Sequence, residues 1–201
     1  DRVAREMRKA GVPFLAGNAV SERTGKGYLP AYSIVRKGGV KVAVLGYTNA
    51  ANASLMDASC VSGISFKSLL PLVQEDVDKV RSKEKPQVVI VVAHTSMGKG
   101  DGQNLERQGL DLFNSLKGVD VLVTGHDHST KVLKTDSTVL LDCGRAGQYA
   151  CLADIKLVVR GGKVISRSLS GEVESFGSEN YDTAMEEAFK SDYEKVRDFN
   201  A

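Results

Sequence analysis

Gln87-Val-Val-Ile-Val-Val-Ala-His94 and Val119-Asp-Val-Leu-Val-Thr-Gly-His-Asp-His128 share one plan: a run rich in β-branched residues that stops at histidine. A strand buried on both faces is apolar throughout, because both side-chain directions meet hydrocarbon; a half-exposed strand alternates. The spacing therefore predicts strands over Gln87–Ala93 and Val119–Thr124. Leu105–Leu116 between them reads as a helix, and a helix joining two buried strands favours parallel neighbours. In such sheets ligands bind outside the carboxyl ends of the strands, where His94, His126 and His128 fall.

These are the only histidines in the 201 residues. Residues i and i+2 of an extended backbone share a face, so His126 and His128 are expected to address one site while Asp127 points away. Imidazole is a ligand for zinc, iron, manganese and nickel. A lone histidine is more often structural, but three at adjacent strand ends point to a shared metal site, with His94, His126 and His128 as ligands. The sequence offers no carboxylate at a bridging spacing and no Asp-x-His, and two-metal hydrolysis needs such groups. Gly100-Asp-Gly-Gln-Asn104 reads as a plain surface loop, and Asp127 as a turn or supporting residue rather than a ligand.

Outward from this centre, Leu69, Leu70, Val73, Val77 and Val80 recur at helical spacing up to Lys85, with Pro86 ending the element. Tyr32–Arg36 and Val40–Tyr47 flank Lys37-Gly38-Gly39 as a hairpin. Pro13–Val20 reads as a strand, Ser21–Leu29 as a polar loop and Asn49–Gly63 as a long surface loop. Val132–Lys134, Thr138–Cys143, Leu152–Val159 and Lys163–Leu169 read as an antiparallel meander. Helices are expected at both ends: Asp1–Ala10, with Val3, Met7 and Ala10 on one stripe, and Tyr181–Phe199, with Met185, Ala188, Phe189 and Val196 on one side. The sum is an α/β (α+β) layered domain whose central strands are covered on both faces.

Composition narrows the function. A net charge of +2 leaves no basic footprint for a nucleic acid polymer, and no apolar run approaches the length of a membrane span. Cys60, Cys143 and Cys151 lack metal-ribbon spacing and read as buried small hydrophobes, with a Cys143–Cys151 bridge left open. No signal peptide is read at the start. Without an initiator Met, the chain is expected to begin partway through something longer.

Several segments together resemble the 5′-nucleotidase/UDP-sugar hydrolase family of calcineurin-like metallophosphoesterases. They are residues 12–20 (Val-Pro-Phe-Leu-Ala-Gly-Asn-Ala-Val), 21–25 (Ser-Glu-Arg-Thr-Gly), the Lys41–Tyr47 strand, the strand ending at His94, and Gly125-His-Asp-His128. Gly144-x-x-Gly147, a following strand and Gly161-Gly-Lys-Val164 extend it, so the resemblance runs from about Val3 to Glu174.

The resemblance implies a sandwich of two mixed β-sheets flanked by helices, with its N-terminal part outside this chain. Residues 1–175 would be the C-terminal two-thirds of the catalytic domain and 176–201 a closing or linker helix. It implies two divalent metals, zinc, manganese or similar, in the intact parent. His94 and His126 would ligate one and His128 the other, with metal-bound hydroxide attacking the phosphorus of a nucleotide. The family's Asp-x-His, Gly-Asp-x-x-Asp and Asn-His-Glu/Asp motifs would precede Asp1, and a C-terminal nucleotide-binding domain would follow. The isolated chain is therefore expected to be inactive, and Asn18 to be structural. A 2′,3′-cyclic-nucleotide phosphodiesterase or UDP-sugar hydrolase stands as the neighbouring reading, and a binding module without a metal centre as the reading of another class. By resemblance only, the setting is periplasmic or cell-surface.

Overall fold

The structure, a computed structural model, describes residues 2–99, 104–177 and 182–199, with side chains from residue 5 onward. Its elements in chain order are α1 (Arg2–Lys9), β1 (Ala19–Ser21), β2 (Tyr32–Lys37), β3 (Val40–Tyr47), α2 (Asn52–Leu55), α3 (Ala58–Val61), β4 (Ile64–Phe66) and α4 (Leu72–Glu84). They continue as β5 (Val88–His94), α5 (Gly109–Ser115), β6 (Val121–Gly125), β7 (Thr130–Lys134), β8 (Val139–Cys143), β9 (Tyr149–Arg160), β10 (Lys163–Ser175) and α6 (Thr183–Phe199).

A six-stranded mixed sheet of order β2-β3-β5-β6-β8-β7 forms the frame. Strands β3, β5, β6 and β8 run parallel, and β2 and β7 close the two edges antiparallel. One face is covered by helices. Val73, Val77 and Val80 of α4 and Leu112 of α5 pack with Val89, Val91 and Ala93 of β5, all essentially out of water. Helix α4 ends at Glu84 and is capped by Lys85, left-handed at φ 51°, just before Pro86, which cannot extend it.

The opposite face is only half covered. The β9–β10 ribbon lays Leu169 and Ile155 over Val121, Val139 and Leu141. Gly171 permits this approach, since a Cβ there would lie 2.7 Å from both Leu141 and Val139 side chains. The ribbon is also fastened by charge. Asp120, fully buried, accepts from the Val89 amide at 2.8 Å, from Arg81 at 3.2 Å and from Arg167 of β10.

Several expectations need correction. The central strands are not covered on both faces: Val92 is 41% exposed and, with Val44 and Phe14, lines an open cavity of about 270 Å³. The four late strands are not one meander, because β8 joins β6 in parallel and only β9–β10 form a separate ribbon. Of Pro13–Val20, only Ala19 and Val20 enter a strand, paired with β4, and Asn49–Gly63 contains two one-turn helices. Helix α6 buries none of its residues, so its apolar side is uncovered. Asp1 and Tyr181, expected in the end helices, and residues 100–103 of the expected surface loop lie outside the described residues, as does the Val3 side chain. Among the described residues no helix is long and apolar enough to cross a membrane.

Candidate metal centre at the strand ends

Parallel pairing brings the two histidine-bearing strand ends together. The register sets His94 of β5 opposite Gly125 of β6, one residue before His126. As a result His94 Nε2 lies 3.2 Å from His126 Nδ1, with the rings edge to face and 5.0 Å between centroids.

The route differs from the expected one. His126 and His128 are not extended residues presenting one face. Both have positive φ, 143° and 57°. Non-glycine residues cost about 1–3 kcal/mol each in such regions and persist where surrounding contacts over-determine them. His126 is turned onto His94 and partly buried, whereas His128 is exposed. Among the described residues no group of three or more His, Cys, Asp or Glu is drawn close enough to hold a metal ion. His94 and His126 form the pair; His128 reaches it only through its charge.

Glu106 was not foreseen. Its Oε1 lies 2.9 Å from His126 Nε2, fixing the ring from the side opposite His94. The backbone around it is held: the Glu106 carbonyl accepts from the Ser96 amide at 3.2 Å, the Thr95 hydroxyl at 2.9 Å and the Asn49 side chain at 3.3 Å. The one signal that could have found it is an acidic residue in the loop between two buried strands at their carboxyl ends.

Electrostatics follow the geometry. Burial, and next the charges that His126 and His128 can carry, hold His94 below the usual imidazole range, which favours a neutral ring with a free lone pair. Asp127 ties the loop after β6 to the loop after β5 by accepting from the Met97 amide at 2.9 Å. Burial pushes its carboxyl up, but the Ser96 hydroxyl, the Met97 amide and the charges of Arg107 and His126 outweigh it and keep it ionised at lower pH than usual. Asp142, at the end of β8, is fully buried with Oδ1 lacking a partner, and burial followed by the charge of Asp127 raises its carboxyl.

Other sequence expectations divide. Asn18 is structural: buried, it donates to the Thr48 and Lys67 carbonyls at 2.9 and 3.3 Å and accepts from the Thr48 amide at 3.0 Å. Cys143 and Cys151 are bridged across the ends of β8 and β9, with Cα atoms 5.5 Å apart. Cys60 is exposed rather than buried.

A metal fits this arrangement in part. Two nitrogens bound at about 2.0–2.1 Å on a tetrahedral cation sit about 3.3 Å apart, close to the 3.2 Å between His94 and His126. A histidine ligand also commonly gives its other nitrogen to a carboxylate, as His126 does to Glu106. The pair thus supplies one edge of a coordination sphere.

No family model matches the chain. The 5′-nucleotidase of Vibrio cholerae is 28% identical over 125 residues, covering 61% of this chain and 23% of that protein. UshA of Yersinia enterocolitica is 27% identical over 142 residues, covering 67% of this chain and 25% of that protein. The chain therefore spans about a quarter of the length of these curated relatives. Among solved structures, the calcineurin-like phosphoesterase YfkN of Bacillus subtilis has TM-score 0.76 at 20% identity, covering 94% of this chain and 64% of that one. A Thermus thermophilus 5′-nucleotidase precursor has TM-score 0.71 at 19% identity, covering 97% and 40%. The fold is that of the calcineurin-like phosphoesterases, and the relatives in sequence include proteins named 5′-nucleotidase, UshA and an endonuclease.

Proposed function

We propose that this chain, a homologue of 5′-nucleotidases with the calcineurin-like phosphoesterase fold, carries part of the metal centre of a nucleotide phosphoester hydrolase. The observation that supports this best is the pair His94 and His126, juxtaposed at the carboxyl ends of parallel strands with Glu106 behind one of them.

His94 and His126 would hold one divalent cation, and His128 would join from the same loop toward a second. A divalent cation supplies charge neutralisation at the phosphoryl group and water activation near neutral pH. The chain's own residues set the stage for that chemistry. Glu106 orients the His126 ring and accepts from its second nitrogen, which leaves Nδ1 for the cation. Asp127 fixes the loop that carries His126 and His128 by accepting from Met97. We propose these substrates and this activity for a longer polypeptide that would contain this stretch, and we expect the stretch alone to turn over negligibly. The Cys143–Cys151 bridge favours an exported, periplasmic or cell-surface setting, because such bonds persist in oxidising compartments.

The test is a hydrolysis panel on the longer polypeptide: a nucleoside 5′-monophosphate, a 2′,3′-cyclic nucleotide and a UDP-sugar, with manganese or zinc. Loss of turnover in both His94→Ala and His126→Ala is expected; full turnover in either overturns the proposal. The second reading, a binding module, draws on the lack of any assembled group of three donors among the described residues. Panel-wide inactivity of the wild-type polypeptide would favour it.

A further inference from the structure

Beside the histidine pair lies a cavity of about 670 Å³ whose lining includes Gly98, Lys99, Glu106, Arg107, Asp127 and Lys131. None of the three histidines lines it. The cations come from separate segments: Lys99 follows β5, Arg107 precedes α5, and Lys131 stands in β7. The two carboxylates are already engaged, Glu106 with His126 and Asp127 with the Met97 amide. Lys99 and Lys131 have no hydrogen bond or ion pair among the described residues. Arg107 also faces Asp127 through its charge, so among the described residues the lining holds three positive charges against two negative ones.

The cradle is preset rather than loose. Gly98, at φ 70°, lies so close to the 107 backbone that a Cβ would come within 2.1 Å of the Arg107 carbonyl oxygen. Only glycine permits that approach, and it holds Lys99 next to Arg107. The Asp127–Met97 bond ties in the loop that leads to β7 and Lys131.

We propose that this cavity is an oxyanion site that takes a phosphate-type dianion, one side chain removed from the reacting centre. Amines without carboxylate partners and an arginine fork are the usual receptors for such a group. Its meaning for catalysis rests on the phosphoester reading; the binding itself does not. The dianion has two sources, a second phosphate on the substrate or free inorganic phosphate.

The experiment titrates the metal-free, chelator-treated chain with inorganic phosphate and with pyrophosphate at constant ionic strength, followed by amide NMR. We expect shifts centred on residues 97–99, 104–107 and 131. Affinity should fall at least tenfold in Arg107→Ala and in Lys131→Ala, whose exposed side chains can be truncated without loss of fold. Pyrophosphate binding about tenfold more tightly than phosphate assigns the site to a second substrate phosphate; equal affinities assign it to free phosphate. No binding of either anion, or binding unchanged in both variants, overturns the proposal. Because no metal is present, that failure leaves the histidine site standing, and failure of metal binding at the histidines leaves this cavity standing.

Discussion

His94 Nε2 and His126 Nδ1 face each other across 3.2 Å, although 32 positions separate them in sequence. Parallel pairing of β5 and β6 creates that proximity, and the positive φ of His126 aims the ring. The consequences of this contact and of the groups around it can be tested one at a time.

Removing the carboxylate behind His126 should weaken the metal without unfolding the chain. Replacing such outer partners commonly costs about 10–100-fold in metal affinity. Glu106→Ala is expected to lower zinc affinity at least tenfold by calorimetric titration while keeping the wild-type circular dichroism spectrum. Unchanged affinity would show that Glu106 does not orient the ring.

Asp142 predicts a pH-dependent stability. Its folded carboxyl titrates above the unfolded one, so the fold favours the neutral acid. That contribution is complete below the ordinary aspartate value of about 3.9 and is lost as pH rises through the higher folded value. At neutral pH the buried Oδ1 has no partner, and such a group costs about 1 kcal/mol or more. Asp142→Asn should therefore be more stable than wild type at pH 7 in urea melts, with the gain vanishing below about pH 4. A variant less stable at pH 7 contradicts this.

Asp120 is expected to be the costliest single charge to remove. It lies fully buried between Arg81 and Arg167 and also caps the Val89 amide. Breaking a buried ion pair from one side costs about 3–5 kcal/mol. Asp120→Ala should lose about that much in denaturant unfolding, and a loss under about 1 kcal/mol would mean that water already screens the cluster.

The bridge between Cys143 and Cys151 closes a loop over a sequence separation of 8. Loop-closure entropy for so short a ring gives about 2.5 kcal/mol. The double variant Cys143→Ser/Cys151→Ser should be destabilised by about 2 kcal/mol, and the wild-type chain should show one reactive thiol, that of Cys60, before reduction. Three reactive thiols in the native chain would contradict the bridge.

The frame was legible in the sequence because its signals are periodic. The runs before His94 and after Val119 announced buried strands, and Val73, Val77 and Val80 announced the helix that covers them. What escaped depends on partners distant in sequence. Glu106 meets His126 only because the Ser96 and Thr95 donors pin its backbone, and no local pattern encodes that. His126 and His128 do not share a face by alternation, because both leave the extended region in which residues two apart point the same way. Strand β8 reads in sequence as part of a meander, because a run such as Thr138–Cys143 carries no mark of whether its neighbour runs parallel. The uncovered side of β5 was equally hidden, since a continuous apolar strand looks the same whether or not something lies on its second face.

The most direct measurement is long-range ¹⁵N NMR of the histidine rings during titration with zinc. At one equivalent, His94 Nε2 and His126 Nδ1 should shift together to metal-bound values while His126 Nε2 stays protonated toward Glu106. Both rings keeping their metal-free resonances in a folded chain, with zinc bound elsewhere or not at all, would contradict the account.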